Sequence, residues 1–316
     1  MGKPITLVTG GAGFIGSHLV DGLLAHGHNV RVFDNFSTGH KKNLSLHLKE
    51  IELVRGDVRN LAQINRAFRG VSLAYHLAAV SSVTQSVDDP LTTADVNVGG
   101  SWNVFEAARR ADTKRVVFIS SASVYGAKAA VPFRESARLR GSSPYAASKL
   151  IGEQLSGLYW DLYGLETVAL RLFSVYGPRQ NPRSQYANVI PAFATCVLSG
   201  RRPTIYGDGR QTRDFVFVAD VVRALLTAGR RRQVVGEVVN IGSGKQTSIR
   251  ELLKQIQTAL KTDLAPVYAA KKPGDDPRTC AHTGKCRKIL GITRLTPFPS
   301  GLGRTLTWFR AETPSH

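Results

Sequence analysis

Short runs of apolar residues recur along the first half of the chain and alternate with longer segments of helical period. The runs are ITLVTG, NVRVFDN, IELVRGDV, LAYHLAA, RVVFISS and ETVALRL. Strands that alternate with amphipathic helices are typical of βαβ units, whose strands are parallel and whose helices cover the sheet. The pattern therefore predicts an α/β fold built on a doubly wound parallel sheet.

A glycine-rich turn joins the first predicted strand to the first helix in VTGGAGFIGSHLV. Gly10, Gly13 and Gly16 have a spacing that permits a tight turn and a close approach of backbone to a pyrophosphate. The pyrophosphate then lies at the helix N-terminus, beside Phe14 and Ile15. This arrangement predicts a dinucleotide site and a domain of the Rossmann type.

Acidic residues follow the second and third predicted strands. Asp34 ends the second strand, where a carboxylate hydrogen-bonds the adenosine ribose and repels a 2′-phosphate. We therefore expect the cofactor to be NAD rather than NADP. Asp57 and Val58 end the third strand and are expected beside the adenine.

The amino-acid composition of the chain changes after about residue 176, where segments rich in proline, glycine and arginine separate shorter predicted helices. We expect residues 1–176 to form the NAD-binding domain and residues 177–316 to form a smaller α/β lobe that binds the substrate. A segment of about 212–243 is expected to return to the first domain.

Composition narrows the class of protein. The 316 residues are 42% hydrophobic and contain no apolar run long enough to span a membrane, so we expect a cytoplasmic protein without a membrane partner. Three scattered cysteines predict neither a disulfide framework nor a metal site. The net charge of +19 suits nucleic acid or a polyanionic small molecule, but no nucleic-acid motif accompanies it, and we expect no nucleic-acid partner.

A tyrosine and a lysine lie four residues apart in SSPYAASKLIGEQ. On a helix this spacing puts Tyr145 and Lys149 on one face. Ser121 ends the fifth predicted strand, at the sheet edge where ligands bind. The three side chains form a candidate proton-transfer system in which Tyr145 is the base and Ser121 bonds the reacting hydroxyl. Lys149, together with the positive nicotinamide ring of NAD, is expected to lower the pKa of the tyrosine.

The motifs TGGAGFIGSH, DNFSTG, GDV, HLAA, SSASVYG, YAASK, RLFSVYGPRQ, YGDGRQTRDFVFVADVVRAL and NIGSGKQTSI occur in this order. Together they resemble the extended short-chain dehydrogenase/reductases, and within them the UDP-glucose 4-epimerase group. The resemblance implies NAD that is reduced and reoxidised within one turnover, and a UDP-hexose that is epimerised through a 4-keto intermediate.

The resemblance also implies further site residues. It implies that NAD is contacted by Tyr145 and Lys149 and also by Asn35, Thr38, Gly39, Ala78, Ala79 and Asn97. It implies that the UDP-sugar is contacted by Ser121 and also by Ser123, Ser174, Asn188, Tyr206, Arg213, Lys272, Asp275 and Thr279. A homodimer is implied too, through a four-helix bundle of the helices around 97–111 and 146–163.

Departures from the epimerase pattern leave alternatives open. Related dehydratases and decarboxylases carry acidic groups where this chain has Ala122 and Ser123, which argues against those reactions. Epimerases usually carry asparagine at Ser174, so a net NDP-sugar oxidoreductase remains an alternative, as does a non-catalytic nucleotide sensor. Thr279, or Cys280 if the match shifts by one, is small enough beside the sugar to predict that N-acetyl sugars are accepted.

Overall fold

The computed structural model describes residues 4–127, 129–182, 188–271 and 277–312. Its strands are β1 Ile5–Thr9, β2 Asn29–Asp34, β3 Ile51–Arg55, β4 Val71–His76, β5 Arg115–Ser121, β6 Glu166–Leu172, β7 Ser174–Tyr176, β8 Thr204–Tyr206, β9 Thr212–Arg213, β10 Phe215–Phe217, β11 Val238–Ile241, β12 Thr247–Ser248 and β13 Val267–Ala269. Its α-helices are α1 Phe14–Ala25, α2 Leu61–Ala67, α3 Val83–Asp88, α4 Pro90–Ala94, α5 Gly100–Arg110, α6 Pro144–Tyr163, α7 Val189–Leu198, α8 Val218–Arg230, α9 Ile249–Leu260 and α10 Phe298–Glu312.

Seven parallel strands form the central sheet in the order β11-β6-β5-β4-β1-β2-β3. The predicted doubly wound parallel sheet is confirmed. The direction of winding reverses between β1 and β4, and in such sheets the ligand crevice lies at the carboxyl ends of the strands at that point. The glycine-rich turn follows β1 and therefore lies at the crevice.

Helices cover both faces of the sheet. Leu7 and Val8 of β1 point to opposite faces, because successive strand residues alternate, and each is fully buried in a different apolar core. Helices α1 and α8 pack on the Val8 side, and α2, α5 and α6 on the Leu7 side. A third core joins α7, α9 and α10 to the short strands β7 and β10.

The edge strand β11 belongs to the segment of about 212–243 and pairs with β6 in the central sheet. Helix α8 of the same segment packs against α1. The division of the chain into two domains near residue 176 stays a prediction. No helix within the described ranges is both long and apolar enough to cross a membrane.

Helix α6 has clear start and stop signals. The Ser143 side chain accepts a hydrogen bond from the backbone N–H of Ala146 at 3.1 Å, and Pro144 occupies the first helical turn. Gly164 ends the helix with φ 66°, a left-handed conformation that glycine adopts without strain. These caps set the register that carries Tyr145 and Lys149.

Candidate active site

The glycine-rich turn is packed too tightly for larger residues. A Cβ atom on Gly16 would lie 2.2 Å from the carbonyl oxygen of Gly10, and one on Gly10 would lie 2.7 Å from the backbone N of Ala78. Gly13 caps α1 without a side chain, so Phe14 and Ile15 begin the helix with their N–H groups directed out of its end. Such a turn is shaped to receive an anionic group against bare backbone.

Asp34 fastens this turn to the second strand. Its Oδ2 accepts a hydrogen bond from the N–H of Ala12 at 2.9 Å, and its Oδ1 accepts one from the N–H of Phe36 at 2.8 Å. Burial raises the pKa of the Asp34 carboxyl, and these two bonds oppose that effect. The side chain thus lies beside the turn, and its contact with the adenosine ribose stays a prediction.

The segment after Asp34 also packs on the turn. A Cβ atom on Gly39, next to Thr38, would lie 2.9 Å from the carbonyl carbon of Ala12. Asn35 donates a hydrogen bond to Asp57 Oδ2 at 3.0 Å.

The Asp57 carboxylate already has several partners. It accepts bonds from the Arg59 side chain at 3.0 and 2.8 Å as well as from Asn35. Its hydrogen bonds with Arg59 hold the pKa of this carboxyl well below its usual range. Val58 is buried beneath Gly100, where a Cβ would lie 2.6 Å from Val58 Cγ2. Any contact with an adenine stays a prediction.

Asn97 lies in a π-helical turn, Asp95–Gly99, that joins α4 to α5. Its Oδ1 accepts from the Val80 N–H at 2.8 Å, and its Nδ2 donates to the Val80 carbonyl and the Ser148 hydroxyl, both at 3.0 Å. The side chain therefore holds the segment after Ala78 and Ala79 against α6.

The structure brings Ser121, Tyr145 and Lys149 together at the carboxyl end of β5. The Tyr145 hydroxyl is hydrogen-bonded to the Ser121 side chain, whose Oγ also donates to Ser123 Oγ at 3.1 Å. Lys149 Nζ lies 5.9 Å from the centre of the Tyr145 ring and donates to the Ile119 carbonyl at 2.9 Å. Tyr145 and Lys149 are both buried.

Burial determines the electrostatics of this cluster in the chain alone. Burial raises the pKa of the Tyr145 hydroxyl, and the hydrogen bond with Ser121 only opposes that effect. Burial also lowers the pKa of Lys149 to about 8. Lys149 directs its ammonium at the Ile119 carbonyl. The expected lowering of the tyrosine pKa, by the lysine together with the positive nicotinamide ring, stays a prediction.

A buried ion pair that was not predicted from the sequence lies behind this cluster. Arg171 of β6 binds both carboxylate oxygens of Glu153 on α6, at 2.8 and 2.7 Å. Ser120, the neighbour of Ser121, donates to the same carboxylate. The spacing of Glu153, four residues beyond Lys149 on one helix face, was an available signal. No signal in the sequence indicated the arginine partner, because Arg171 lies on β6 and meets Glu153 only in the folded chain.

The predicted substrate residues lie on separate elements. Ser174 begins β7 and its N–H donates to the Asp214 carbonyl at 3.0 Å. Asn188 precedes α7, Tyr206 ends β8 with a partly exposed ring, and Arg213 ends β9.

Lys272 and Asp275 lie outside the described residues. Thr279 is buried next to β9: its N–H donates to the Thr212 carbonyl at 3.3 Å and its Oγ1 accepts from the Asp214 N–H at 3.2 Å. Cys280 is also buried, and its carbonyl accepts a bond from the Phe133 N–H at 2.7 Å.

Asp214 organises the loops around Thr279. Its buried carboxylate accepts hydrogen bonds from the N–H and hydroxyl of Ser243, both at 2.6 Å, and from the N–H groups of Gly244 and Ala281 at 2.9 and 2.8 Å. Burial raises the pKa of this carboxyl, and the four bonds oppose the effect. The Asp214 side chain thus joins the loop at Ser243 and Gly244 to the segment at Ala281, two residues beyond Thr279.

Comparison with known proteins identifies the family. Residues 6–242 match the model of the NAD dependent epimerase/dehydratase family. A UDP-glucose 4-epimerase of Mycolicibacterium smegmatis is 40% identical over 310 residues, covering 96% of this chain and 98% of that one. The crystal structure of UDP-glucose 4-epimerase from Thermotoga maritima with UDP-glucose is 35% identical with a TM-score of 0.94, covering 98% of this chain and 99% of that chain. The chain belongs to the NAD dependent epimerase/dehydratase family.

The relatives do not all share one reaction. A UDP-N-acetyl-alpha-D-glucosaminuronate decarboxylase of Bacillus cytotoxicus is 33% identical over 320 residues, covering 98% of each chain. The resemblance to extended short-chain dehydrogenase/reductases is confirmed, while the reaction must be argued from the site.

Proposed function

We propose that the protein is an NAD-dependent 4-epimerase of UDP-hexoses, UDP-glucose and UDP-galactose, that also accepts their N-acetyl forms. The observation that carries the proposal is the cluster of Ser121, Tyr145 and Lys149 at the sheet edge beside the glycine-rich turn. The Ser121 and Tyr145 hydroxyls, with the buried Lys149 ammonium beside them, can transfer a single proton to and from a sugar hydroxyl.

The residues at the turn fit NAD. The close backbone packing at Gly10 and Gly16, which admits no side chain, and the N-terminus of α1 without a side-chain cap support binding of the pyrophosphate. The buried Asp34 carboxylate supports a ribose without a 2′-phosphate. The remaining proposed contacts are Gly13, Phe14, Ile15, Asn35, Thr38, Gly39, Asp57, Val58, Ala78, Ala79, Asn97, Tyr145 and Lys149. When bound, NAD supplies the hydride acceptor and donor that inversion at C4 requires.

Tyr145 is proposed as the group that holds the proton. It takes the proton of the C4 hydroxyl as C4 becomes a ketone, and returns it when C4 is reduced from the opposite face, so that the sugar is regained with inverted C4. Ser121 orients the C4 oxygen. Because burial raises the pKa of Tyr145 in the chain alone, the positive charge needed to ionise it must come from Lys149 together with the bound cofactor.

Residues near the base favour epimerisation over the reactions of other relatives. Ala122 and Ser123 follow Ser121 where the related dehydratases and decarboxylases are expected to carry acids, and neither can supply a second acid or base. Ser123 Oγ instead accepts a hydrogen bond from Ser121. Ser174 stands where epimerases are expected to carry asparagine. A net oxidoreductase is therefore the alternative that experiment must exclude.

The second lobe is proposed to bind the UDP-sugar. Arg213 is proposed to bind the diphosphate, since an arginine fork matches phosphate oxygens, and Asn188 and Tyr206 to contact the nucleotide. Lys272 and Asp275 are proposed for later phosphate and ribose contacts. Thr279, whose hydroxyl accepts a hydrogen bond from the Asp214 N–H, is proposed to leave room for an N-acetyl group. In the proposed division of the chain into two domains, residues 1–176 and the returning segment of about 212–243 bind NAD.

A homodimer through α5 and α6 is part of the proposal. These neighbouring helices expose large apolar side chains, with Trp102 49%, Leu158 41% and Leu162 64% exposed. Burial of such side chains between two copies would be favourable. Sedimentation velocity of the wild type and a Trp102→Glu, Leu158→Glu variant tests it: a dimer that the two charges leave intact would refute this interface.

The function is tested by incubating the purified protein, without added NAD, with UDP-glucose, UDP-galactose and the two N-acetyl counterparts. NMR follows the epimers, and denaturation releases bound nucleotide for quantitation. Interconversion with stoichiometric NAD is the expected result. Two parallel incubations test the alternatives: consumption of NAD added to one, with a keto or carboxyl product, would indicate a net oxidoreductase, and release of CO2 from a UDP-uronate added to the other would indicate a decarboxylase.

A further inference from the structure

A buried histidine links the two strands at the centre of the crevice. His76 ends β4 and lies in register with Thr9, which ends β1 immediately before the glycine-rich turn. Its Nδ1 is 2.8 Å from Thr9 Oγ1, and its Nε2 is 3.0 Å from Ser101 Oγ on α5. All three residues are buried.

The hydrogen bonds around His76 have only one consistent direction. The Ser101 hydroxyl donates to the carbonyl of Asn97, which has no hydrogen to give. Ser101 Oγ must then accept from His76 Nε2–H. In a neutral ring Nδ1 carries no proton and accepts from the Thr9 hydroxyl, whose oxygen in turn accepts from the Ala78 N–H at 3.3 Å.

The chain of bonds continues to the catalytic helix. The Ser148 hydroxyl donates to the Tyr145 carbonyl at 2.8 Å, so its oxygen is the acceptor for Asn97 Nδ2. Asn97 is the residue whose carbonyl receives the Ser101 hydroxyl. The network therefore links the N–H of Ala78 to the carbonyl of Tyr145 by way of Asn97, which is bonded through its backbone carbonyl on one side and its side-chain amide on the other.

A second proton on His76 would break this arrangement. Nδ1–H would face the Thr9 hydroxyl, which is turned to donate, and the ring would place a second cation near Lys149. Burial, together with the Lys149 ammonium, lowers the pKa of His76 to about 3. The Phe118 ring, 5.9 Å away, adds an apolar neighbour.

We propose that His76 is a positioning residue, held as the neutral Nε2–H tautomer, that fastens the strand before the glycine-rich turn to the helix carrying Tyr145. The expected effect on kcat rests on the proposed function, whereas the tautomer of His76 does not. A π-helical turn inside a longer helix often marks a functional site. Here the turn brings Asn97 to the point where the histidine bonds and the helix bonds meet.

The tautomer is tested directly by long-range 1H–15N NMR of the full-length protein labelled at histidine. The His76 signal is assigned by its disappearance in His76→Gln. It should show the neutral Nε2–H pattern and stay unchanged from pH 8 to pH 5.5. An Nδ1–H pattern, or a change to the imidazolium within this range, would overturn the proposal.

Kinetics test the positioning role. His76→Phe keeps a ring and removes both nitrogens, and we expect kcat to fall by about 10–100-fold, since small displacements of reacting groups have effects of this order. KM for UDP-glucose should change less than about twofold, because the proposed UDP contacts lie on other elements. His76→Gln, which keeps a donor for Ser101, and His76→Asn, which keeps an acceptor for Thr9, should each recover part of the loss.

His26→Gln is the matched control, because His26 is exposed at the end of α1 and its side chain is hydrogen-bonded to the Gly22 carbonyl of its own helix. A His76→Phe protein with the kcat and bound NAD of this control would refute the positioning role. If His76→Phe does not fold, the Gln and Asn variants carry the comparison, and full activity in both would refute the role. If the wild type does not epimerise, the proposed function fails, while the NMR pattern and the bound NAD of the variants still decide this proposal.

Discussion

Replacing Lys149 by methionine should stabilise the nucleotide-free protein while abolishing its activity. The ammonium of Lys149 is buried, and its pKa falls from the ordinary 10.5 to about 8. At about 1.4 kcal/mol per pH unit, the charged lysine costs the folded state about 3 kcal/mol. Methionine has a similar unbranched stem and no charge, so Lys149→Met removes this cost.

The variant also loses a stabilising contact. The hydrogen bond from Lys149 Nζ to the Ile119 carbonyl, 2.9 Å long, contributes about 1 kcal/mol. At pH 7 we therefore expect Lys149→Met to be more stable than the wild type by about 2 kcal/mol.

The sign of the pH dependence identifies the cause. A lysine whose folded pKa is depressed destabilises the folded state below that pKa, and the cost is relieved as the pH rises from about 8 towards 10.5. About 2 kcal/mol of the cost should be recovered by the wild type between pH 7 and pH 9.5. Tyr145 stays protonated over this range, because burial raises its pKa.

The assay is urea unfolding of nucleotide-free protein at intervals from pH 7 to pH 9.5, for the wild type and Lys149→Met. Lys254→Met, at an exposed position on α9, is the control for a lysine in water. The difference in unfolding free energy between the wild type and Lys149→Met should shrink by about 2 kcal/mol across the range. A difference that stays constant with pH would show that Lys149 is not a destabilised buried cation.

Three further variants test the site. Tyr145→Phe should lower kcat by about 10²–10⁴-fold with bound NAD unchanged, and an unchanged kcat would remove the tyrosine from the mechanism. Gly16→Ala should reduce the NAD released on denaturation, because its Cβ would lie 2.2 Å from the Gly10 oxygen, whereas Gly303→Ala, with open space around it, should not. Thr279→Tyr should slow turnover of UDP-N-acetylglucosamine more than that of UDP-glucose, with Thr279→Ser as the control that keeps the hydroxyl. Equal effects on both sugars would refute the role of this position in substrate selection.

The sequence by itself determined the parts of the protein that depend on neighbours along the chain. Alternating apolar runs predicted the parallel sheet, because strand and helix periods are local properties. The turn around Gly13 and the helix face shared by Tyr145 and Lys149 were predictable for the same reason: a few consecutive residues define each of them. β11 was not among the predicted runs, since four residues are too few to stand out.

Only the tertiary structure decided which side chains meet across the sheet. Glu153 pairs with Arg171, and His76 bonds Thr9 and Ser101, because β4 lies directly beside β1 in the sheet although β2 and β3 separate them in the chain, and β5 and β6 follow next to β4. The same packing buries Tyr145 and Lys149 and so sets the direction of their pKa shifts. Sequence spacing specifies which groups share a helix face, whereas burial and hydrogen-bond direction depend on contacts between residues far apart in the chain.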